Sequence, residues 1–226
     1  MQARDRLVVA VDFSSRDAIH SLLDELHGAV GVIKIGLQAF IANGSSIVTE
    51  IVDRGEKVFL DLKIHDIPNT AQHAVAEAAA LGVTITTVHT AGGLTMMQAC
   101  SRTAALVLGV TILTSLDEAE LQRIGLAGTP LDNAVRLALL AQSAGLPGVV
   151  ASPHEIEAIR KACGDGFVIL TPGIRPTGAD DGDQRRVMTP RAAIARGADY
   201  LVVGRPITAA PNARAAALQI VEEMGG

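Results

Sequence analysis

Eight short apolar runs recur along the chain, and most of them are separated by an alanine-rich amphipathic segment. The runs are LVVAV from residue 7, GVIKI from 31, KVFLDL from 57, VTITTV from 83, LVLGVTIL from 106, GVVAS from 148, FVILT from 167 and YLVVG from 200. Strands that are almost continuously hydrophobic are buried on both faces, as in a parallel sheet covered by helices. Eight such units predict an α/β protein with a closed (β/α)8 TIM barrel.

A doubly wound open sheet is the structural alternative. That fold typically has fewer strands and a glycine-rich first turn, whereas the first predicted strand is followed by Asp12-Phe13-Ser14-Ser15, which is typical of a helix cap. The chain has 226 residues, 49% of them hydrophobic, and can bury one large core. Because barrels of this size are commonly undivided, we expect one catalytic domain over residues 1–226.

Charge and aromatic content restrict the class of partner. The net charge is -5, Trp is absent and there is one Tyr, whereas nucleic-acid-binding proteins usually present a basic stripe or stacking aromatics. No apolar run approaches the roughly 18 residues needed to cross a bilayer. The two cysteines and the amino-terminal segment suggest neither a disulfide framework nor secretion. We therefore expect a cytoplasmic protein that binds neither nucleic acid nor membranes.

Charged residues are concentrated after the third predicted strand, in the segment DLKIHDIPNT from residue 61 to 70. Strand side chains alternate between faces, so Asp61 and Lys63 should point the same way, with Asp66 at the entry to the next helix. An isolated buried ion costs many kcal/mol, so these charges require partners. Taken alone, the triplet is compatible with a structural ion pair and with a catalytic cluster.

Polar residues follow nearly every predicted strand, where a TIM barrel gathers its active site. They are Asp12, Lys34, Asp61 with Lys63, His89, Thr114 with Ser115, Ser152, Pro172 to Arg175, and Gly204 with Arg205. Each has a structural explanation: Asp12 could cap the first helix, and His89 could be a hydrogen-bonded core histidine. Together they predict a polar pocket whose charges neutralise one another.

The loops after the last two predicted strands indicate a phosphate site. They read TPGIRPTGADDGDQRRVMTP and VGRPIT, and glycines there let backbone N–H groups approach an anion near a short helix. Gly173, Gly204 and Arg205 are therefore candidate phosphate ligands.

The first of these loops is long, polar and rich in Gly and Asp between Pro172 and Thr189. Loops above about 12 residues in compact domains are usually functional lids or disordered. We interpret this loop as a lid, with Arg175 and Gln184 reaching inward when it closes.

A metal site is not expected. His65, Asp61 and Asp66 are close in sequence, but the ammonium of Lys63 among them would repel a cation, and paired zinc-ligand spacings are lacking. A Ser-His-Asp order with a nucleophile elbow is also lacking.

From LVVAVD at residue 7 to VGRPIT at 203, the chain closely resembles the bacterial type of orotidine 5'-phosphate decarboxylase. The most specific elements are DLKIHDIPNT, the lysine of VIKIG, VTILTS, and PGIRPTG followed in order by GDQRR, MTP and VGRPIT. The fold of that family is an eight-stranded barrel. The resemblance implies conversion of orotidine 5'-phosphate to uridine 5'-phosphate and CO2 in pyrimidine biosynthesis, without a metal or a cofactor.

The resemblance also implies roles for the charged residues. Lys63 would deliver a proton to C6 of the pyrimidine after CO2 leaves, and Asp61 would lie beside the departing carboxylate. Lys34 would complete the charge array and contact the ribose, whose hydroxyls Asp12 would bind. Either Thr114 or Ser115 would meet the pyrimidine edge.

At the phosphate end, the resemblance assigns Gln184, Arg205 and Gly204 to the phosphate, with Arg175 in the same constellation as Pro172 and Gly173. Further residues are implied to act across a subunit boundary. Asp66, Ile67 and Thr70 would reach into the neighbouring subunit's site, so the active unit would be a homodimer.

Two rival functions remain open. A related barrel decarboxylase or aldol-type lyase acts on a sugar phosphate with a similar Asp-x-Lys-x-x-Asp cluster and bound magnesium, although residues 67–70 and GDQRR favour the nucleotide. A non-catalytic phosphate-ligand sensor is the other rival. A sensor has no need to hold a protonated lysine between two carboxylates, which argues against it.

Overall fold

The computed structural model describes residues 1–176 and 187–225 of the chain. Within these residues eight parallel strands close into a barrel in chain order, and the first strand pairs with the last. The strands are β1 (Leu7–Val11), β2 (Val32–Gly36), β3 (Val58–Ile64), β4 (Ile85–His89), β5 (Leu106–Val110), β6 (Gly148–Val150), β7 (Val168–Thr171) and β8 (Tyr200–Val203). The predicted TIM barrel is confirmed, and the open doubly wound sheet is wrong.

Helices connect the strands and cover the barrel. They are α1 (Arg16–Leu26), α2 (Leu37–Asn43), α3 (Ser46–Asp53), α4 (Pro68–Ala80), α5 (Gly93–Cys100), α6 (Glu118–Arg123), α7 (Pro130–Ser143), α8 (Ile156–Cys163), α9 (Pro190–Ala195), α10 (Arg205–Thr208) and α11 (Ala213–Glu223). Short 3-10 turns occur at Arg4–Arg6, Thr90–Gly92 and Pro153–Glu155. In the described part of the chain, no helix combines the length and apolarity needed to cross a membrane.

Local sequence signals explain where several helices begin. The Ser15 hydroxyl accepts a hydrogen bond from the Ala18 N–H, so the turn after β1 is a helix cap as predicted. Helix α7 begins with a capping box between Thr129 and Asp132. Pro68 occupies the first turn of α4, where its missing N–H is not needed.

Apolar side chains form two layers around the sheet. The layer inside the barrel consists of Val8, Ala10, Val32, Phe59, Ile85, Leu108, Leu170 and Val202. A larger layer lies outside it, between the strands and the helices, and includes Ile33, Val58 and Ile169. Because both faces of the strands are covered, every residue of β1 and β2 is buried, which explains the continuous apolar runs.

Strand β5 is shorter than the apolar run that predicts it. The run extends to Leu113, but the strand ends at Val110. The backbone N–H and the hydroxyl of Thr111 both donate to the carbonyl of Val150, at 3.2 and 3.0 Å. Since Val150 is the last residue of β6, the chain beyond Thr111 has no strand to pair with and turns away from the sheet.

Candidate active site

Strands β3 and β4 pair irregularly where the charged residues of β3 begin. Leu60 pairs with Thr86 and the next pair is Ile64 with Val88, so residues 61–63 lie opposite Thr87 alone. Lys63 lies within this bulge and has φ of 52°, and it is the only non-glycine residue among those described with a positive φ. That conformation costs an L-residue roughly 1–2 kcal/mol. Bulges and strained residues of this kind commonly re-aim side chains near active sites.

The bulge brings the side chains of Asp61 and Lys63 together. Lys63 Nζ donates to Asp61 Oδ2 at 2.7 Å, with 31% of the lysine side chain and 12% of the aspartate side chain exposed. At an effective dielectric of about 20, charges at this distance attract by about 6 kcal/mol. The predicted proximity is confirmed, but a bulge produces it, and not the regular alternation of a strand.

Thr87, a fully buried residue of β4, contacts both members of this pair. Its hydroxyl donates to Asp61 Oδ1 at 2.9 Å and accepts from the backbone N–H of Lys63 at 3.1 Å. The sequence analysis did not identify Thr87. The available signal was a polar residue two positions after the inward-facing Ile85, on the strand beside the charged segment.

A second charge pair joins the ends of β1 and β2. The buried Lys34 donates from Nζ to Asp12 Oδ1 at 3.1 Å, so Asp12 pairs with a lysine while Ser15 caps α1. Gly36 makes room for this pair. A Cβ at that position would lie 2.8 Å from Lys34 Nζ and 2.9 Å from Asp12 Oδ1, closer than a real Cβ approaches such atoms. Gly36 was also absent from the sequence prediction.

Two cavities adjoin at the carboxyl ends of the strands. The larger, of about 310 Å³, is lined by Ala10, Asp12, Lys34, Asp61, Val150, Leu170, Pro172, Gly173, Arg175, Val202, Gly204 and Arg205. The smaller, of about 170 Å³, is lined by Lys63, Val110, Ile112, Leu113, Thr114, Val150, Ala151, Ser152 and Pro172. Both include Val150 and Pro172. The fold therefore gathers most of the predicted strand-end residues around one site.

The candidate phosphate ligands come from the ends of β7 and β8. Gly173 has φ of 76°, a conformation that favours glycine. Gly204 precedes the short helix α10, which begins at Arg205. All three line the larger cavity, in agreement with the predicted clustering of these two loops.

An isolated β-bridge joins the two ends of the predicted lid. Ile174 pairs with Met188, and the backbone N–H of Arg175 donates to the Met188 carbonyl at 3.0 Å. The Arg175 side chain is buried and donates to the Ile174 carbonyl at 3.0 Å. Gln184 lies outside the described residues.

Four predicted site residues lie away from both cavities. Asp66 Oδ1 accepts a hydrogen bond from the Ile67 N–H at 2.7 Å, and both residues line a separate open depression of about 620 Å³. Thr70 is exposed on α4, and Ser115 is exposed after β5. Neighbours in sequence are therefore separated here: within one chain, Asp66 does not share the cavities of Asp61 and Lys63.

His89 lies half-buried at the end of β4, with its ring centroid 5.5 Å from that of His65. Burial lowers the pKa of His89 below its ordinary value of 6.5, electrostatic interactions with His65 and Lys63 lower it further, and Asp61 opposes them. The neutral imidazole is therefore favoured beside the ammonium of Lys63.

Metal-ligand residues are not grouped in the described part of the chain. Across residues 1–176 and 187–225, no three His, Cys, Asp or Glu side chains are arranged so that they could hold a metal ion. Independence from metal stays a prediction, which activity measurements must test.

Comparison with known proteins gives matches over nearly the whole chain. The protein named orotidine 5'-phosphate decarboxylase from Moorella thermoacetica is 48% identical over 236 residues, covering 99% of this chain and 94% of that protein. The protein of the same name from Haemophilus influenzae is 47% identical over 214 residues, covering 92% of this chain and 93% of that protein.

Structural similarity agrees with the sequence matches. The crystal structure of orotidine 5'-phosphate decarboxylase from Lactobacillus acidophilus superimposes with a TM-score of 0.88 at 32% identity, covering 97% of this chain and 99% of that chain. A family model, described as Orotidine 5'-phosphate decarboxylase / HUMPS family, matches residues 5–220. That match includes every strand of the barrel and both cavities. The chain therefore belongs to the orotidine 5'-phosphate decarboxylase / HUMPS family.

Proposed function

We propose that this chain decarboxylates orotidine 5'-phosphate to uridine 5'-phosphate and CO2, a step of pyrimidine biosynthesis. The observation that carries the proposal is the contact of 2.7 Å between Lys63 and Asp61 at the mouth of the barrel, beside the cavity lined by Gly204 and Arg205. Relatives of this name at 47–48% identity support the same reaction.

The chemistry requires a positive charge and a proton at one place. When the bond between C6 and the carboxylate breaks, CO2 leaves and the electron pair stays on C6, where no adjacent carbonyl can delocalise it. We assign Lys63 to both tasks: its ammonium stabilises the developing carbanion and then transfers one proton to C6. Solvent reprotonates the lysine after release of the product.

The other charges orient this lysine and the substrate. The Asp61 carboxylate anchors the ammonium through Oδ2 and would lie beside the departing carboxylate. The Lys34 and Asp12 pair, 3.1 Å apart, offers a donor and an acceptor to the ribose hydroxyls. Thr114 is the better candidate for the pyrimidine edge, because it lines the same small cavity as Lys63 whereas Ser115 is exposed.

Binding of the phosphate would supply transition-state stabilisation beyond what a single lysine can provide. A single charge pair contributes about 4–6 kcal/mol at an effective dielectric of about 20, whereas enzymes commonly lower barriers by roughly 8–23 kcal/mol. We assign the phosphate to Gly173, Gly204 and Arg205, with Pro172 and Arg175 beside them and Gln184 contributed by the lid. Binding energy from the phosphate would be used to close the lid and exclude water.

A homodimer with shared sites completes the proposal. Asp66, Ile67 and Thr70 are exposed at the start of α4, and 67% of Ile67 is accessible. A twofold axis would let each chain present this segment to its neighbour. A cytoplasmic location fits a biosynthetic activity of this kind.

The direct test measures the absorbance change of orotidine 5'-phosphate on mixing with the protein in excess EDTA. We expect turnover without added metal or cofactor. Loss of turnover in EDTA and its recovery with magnesium would favour the metal-dependent sugar-phosphate lyase chemistry. Binding without a single turnover would favour a ligand sensor.

Subunit mixing tests the shared site separately. Asp66→Ala and Lys63→Ala should each be inactive, yet a heterodimer of the two would keep one intact site. Random exchange of equal amounts should therefore restore about a quarter of the parental activity, because half of the dimers are mixed and each has one working site. If mass spectrometry detects exchange and the mixture stays inactive, Asp66 does not act across the interface.

A further inference from the structure

We infer that Thr87 is a positioning residue for the reaction at Lys63. Its hydroxyl holds the Asp61 carboxylate and the Lys63 backbone in the arrangement that places the ammonium at the barrel mouth. The expected kinetic effect rests on the proposed function, whereas the geometric effect can be measured without it. Thr87 lines neither of the two cavities described above, so it acts through its neighbours.

The two hydrogen bonds of Thr87 determine each other. The Lys63 N–H can only donate, so it occupies an acceptor site on the hydroxyl, at 3.1 Å. The single hydroxyl proton is then directed to Asp61 Oδ1, at 2.9 Å. The other carboxylate oxygen, Oδ2, accepts from Lys63 Nζ at 2.7 Å. Both oxygens of Asp61 are thereby used, and the plane of the carboxylate is fixed from two sides.

The backbone bond compensates for the bulge. Residues 61–63 have Thr87 alone opposite them, so the regular ladder between β3 and β4 is interrupted at Lys63. A backbone N–H in a half-buried position needs an acceptor, and the Thr87 hydroxyl supplies one. The same contact holds Lys63 at its φ of 52°, a conformation that persists only when the surroundings impose it.

The preceding residue provides a matched control. Thr86 is also a fully buried threonine of β4, and its hydroxyl donates to a β3 group, the Leu60 carbonyl, at 3.0 Å. That bond lies before the bulge and involves neither Asp61 nor Lys63. Removing either hydroxyl disturbs a buried hydrogen bond between the same two strands, but only one of the two changes supports the charge pair.

The kinetic test compares Thr87→Val with Thr86→Val. We expect Thr87→Val to lower kcat by about 10- to 100-fold, the range for losing a hydrogen bond to a charged group, while KM changes by less than about threefold. Thr86→Val should keep kcat within about threefold of the parent. Thr87→Ser retains the hydroxyl and should recover most of the lost kcat, whereas Thr87→Ala should not.

Crystal structures of the variants give a readout that is independent of activity. In Thr87→Val we expect Lys63 to leave the positive-φ region and its Nζ to move away from Asp61 Oδ2, while Thr86→Val keeps both features. If Thr87→Val does not fold, the Ser and Ala variants make the same comparison.

Equal losses of kcat in the two valine variants would overturn the inference. Unchanged Lys63 and Asp61 geometry in Thr87→Val would also overturn it, whatever the activity. If the parent protein does not turn over orotidine 5'-phosphate, the proposed function fails, and the variant structures still decide whether Thr87 positions the pair.

Discussion

The two ends of this barrel use charged side chains in different ways. At the amino ends of β7 and β8, the Arg160 guanidinium donates to one carboxylate, Asp199 Oδ2 at 2.7 Å, and otherwise to backbone carbonyls. Those carbonyls belong to Gly164, Asp165, Phe167 and Gly197, at 2.6–3.1 Å. At the carboxyl ends, Lys34 and Lys63 instead contact the side-chain carboxylates of Asp12 and Asp61, and both lysines line cavities.

This difference distinguishes a charged residue that stabilises the fold from one that is available for a reaction. Arg160 directs its donors to the polypeptide itself, where they join the loops before two adjacent strands and stabilise the fold. A lysine ammonium has three donors, and one of those on Lys63 contacts Asp61 while the side chain borders open space. Being paired therefore does not distinguish the two kinds of charge. The type of partner and the presence of a cavity do.

The largest expected effect is the loss of turnover in Lys63→Ala. We expect kcat to fall by at least about a thousandfold, about 4 kcal/mol of transition-state stabilisation, because charge and proton are both removed. The Tm and the affinity for a nucleotide monophosphate should stay close to those of the parent, because the positive charge and the proton of Lys63 are needed mainly in the transition state. Steady-state absorbance assays and calorimetry provide the measurements. Retention of more than about a tenth of the parental turnover would exclude Lys63 as the proton donor.

At the amino ends of the strands we expect a substitution to lower stability and to leave activity nearly unchanged. Arg160→Ala should lower the free energy of unfolding by about 3 kcal/mol, because the partly buried Asp199 carboxylate and four backbone carbonyls each lose a hydrogen-bond donor. For a domain of this size, that loss corresponds to a fall in Tm of about 6–12 °C. At 25 °C, kcat per folded molecule should stay within about twofold.

Arg196→Ala is the matched control for Arg160→Ala. Arg196 makes a longer contact of 3.8 Å with Glu157, and both side chains are largely exposed. Its free energy of unfolding should change by less than about 0.5 kcal/mol. Equal destabilisation in the two variants would show that the Arg160 network has no special structural role.

Arg205→Ala tests the phosphate side of the carboxyl end. We expect kcat/KM for orotidine 5'-phosphate to fall by about 10- to 100-fold, as for loss of a charge-assisted hydrogen bond. Any activity toward the nucleoside that lacks the phosphate should hardly change. Arg191→Ala, an exposed arginine at the start of α9, should affect neither substrate. Equal losses for both substrates in Arg205→Ala would make Arg205 a structural residue.

The smallest effect concerns the pH dependence of stability at His89. Because the folded-state pKa is lowered from 6.5, the unfolded chain binds a proton first as pH falls, and the folded state is destabilised below about pH 6.5. The contribution is fully present above that pH and is lost as pH falls through the folded-state pKa. His89→Gln should therefore show a shallower decline in unfolding free energy between pH 8 and pH 5. An identical decline in both proteins would contradict this linkage.

Much of the fold could be predicted because a strand that is buried on both faces appears in the sequence as a continuous apolar run. All eight predicted strands are present, and most boundaries agree within two residues, since each apolar run reports the coverage of its own strand. Asp12, Lys34 and Arg205 were also predictable, because parallel strands bring their carboxyl ends to one face whatever the details of packing. The family resemblance added roles that periodicity alone does not provide.

Other features depend on pairing between distant segments, and the sequence by itself did not determine them. The early end of β5 depends on where β6 ends, and the room that Gly36 leaves depends on side chains from two strands. The positive φ of Lys63 and the double contact of Thr87 depend on a register shift between β3 and β4. Local patterns record which residues are apolar or charged. Only close packing in three dimensions decides which of them face a bulge, a cavity or a charge on another strand, because those neighbours are set by register and not by distance along the sequence.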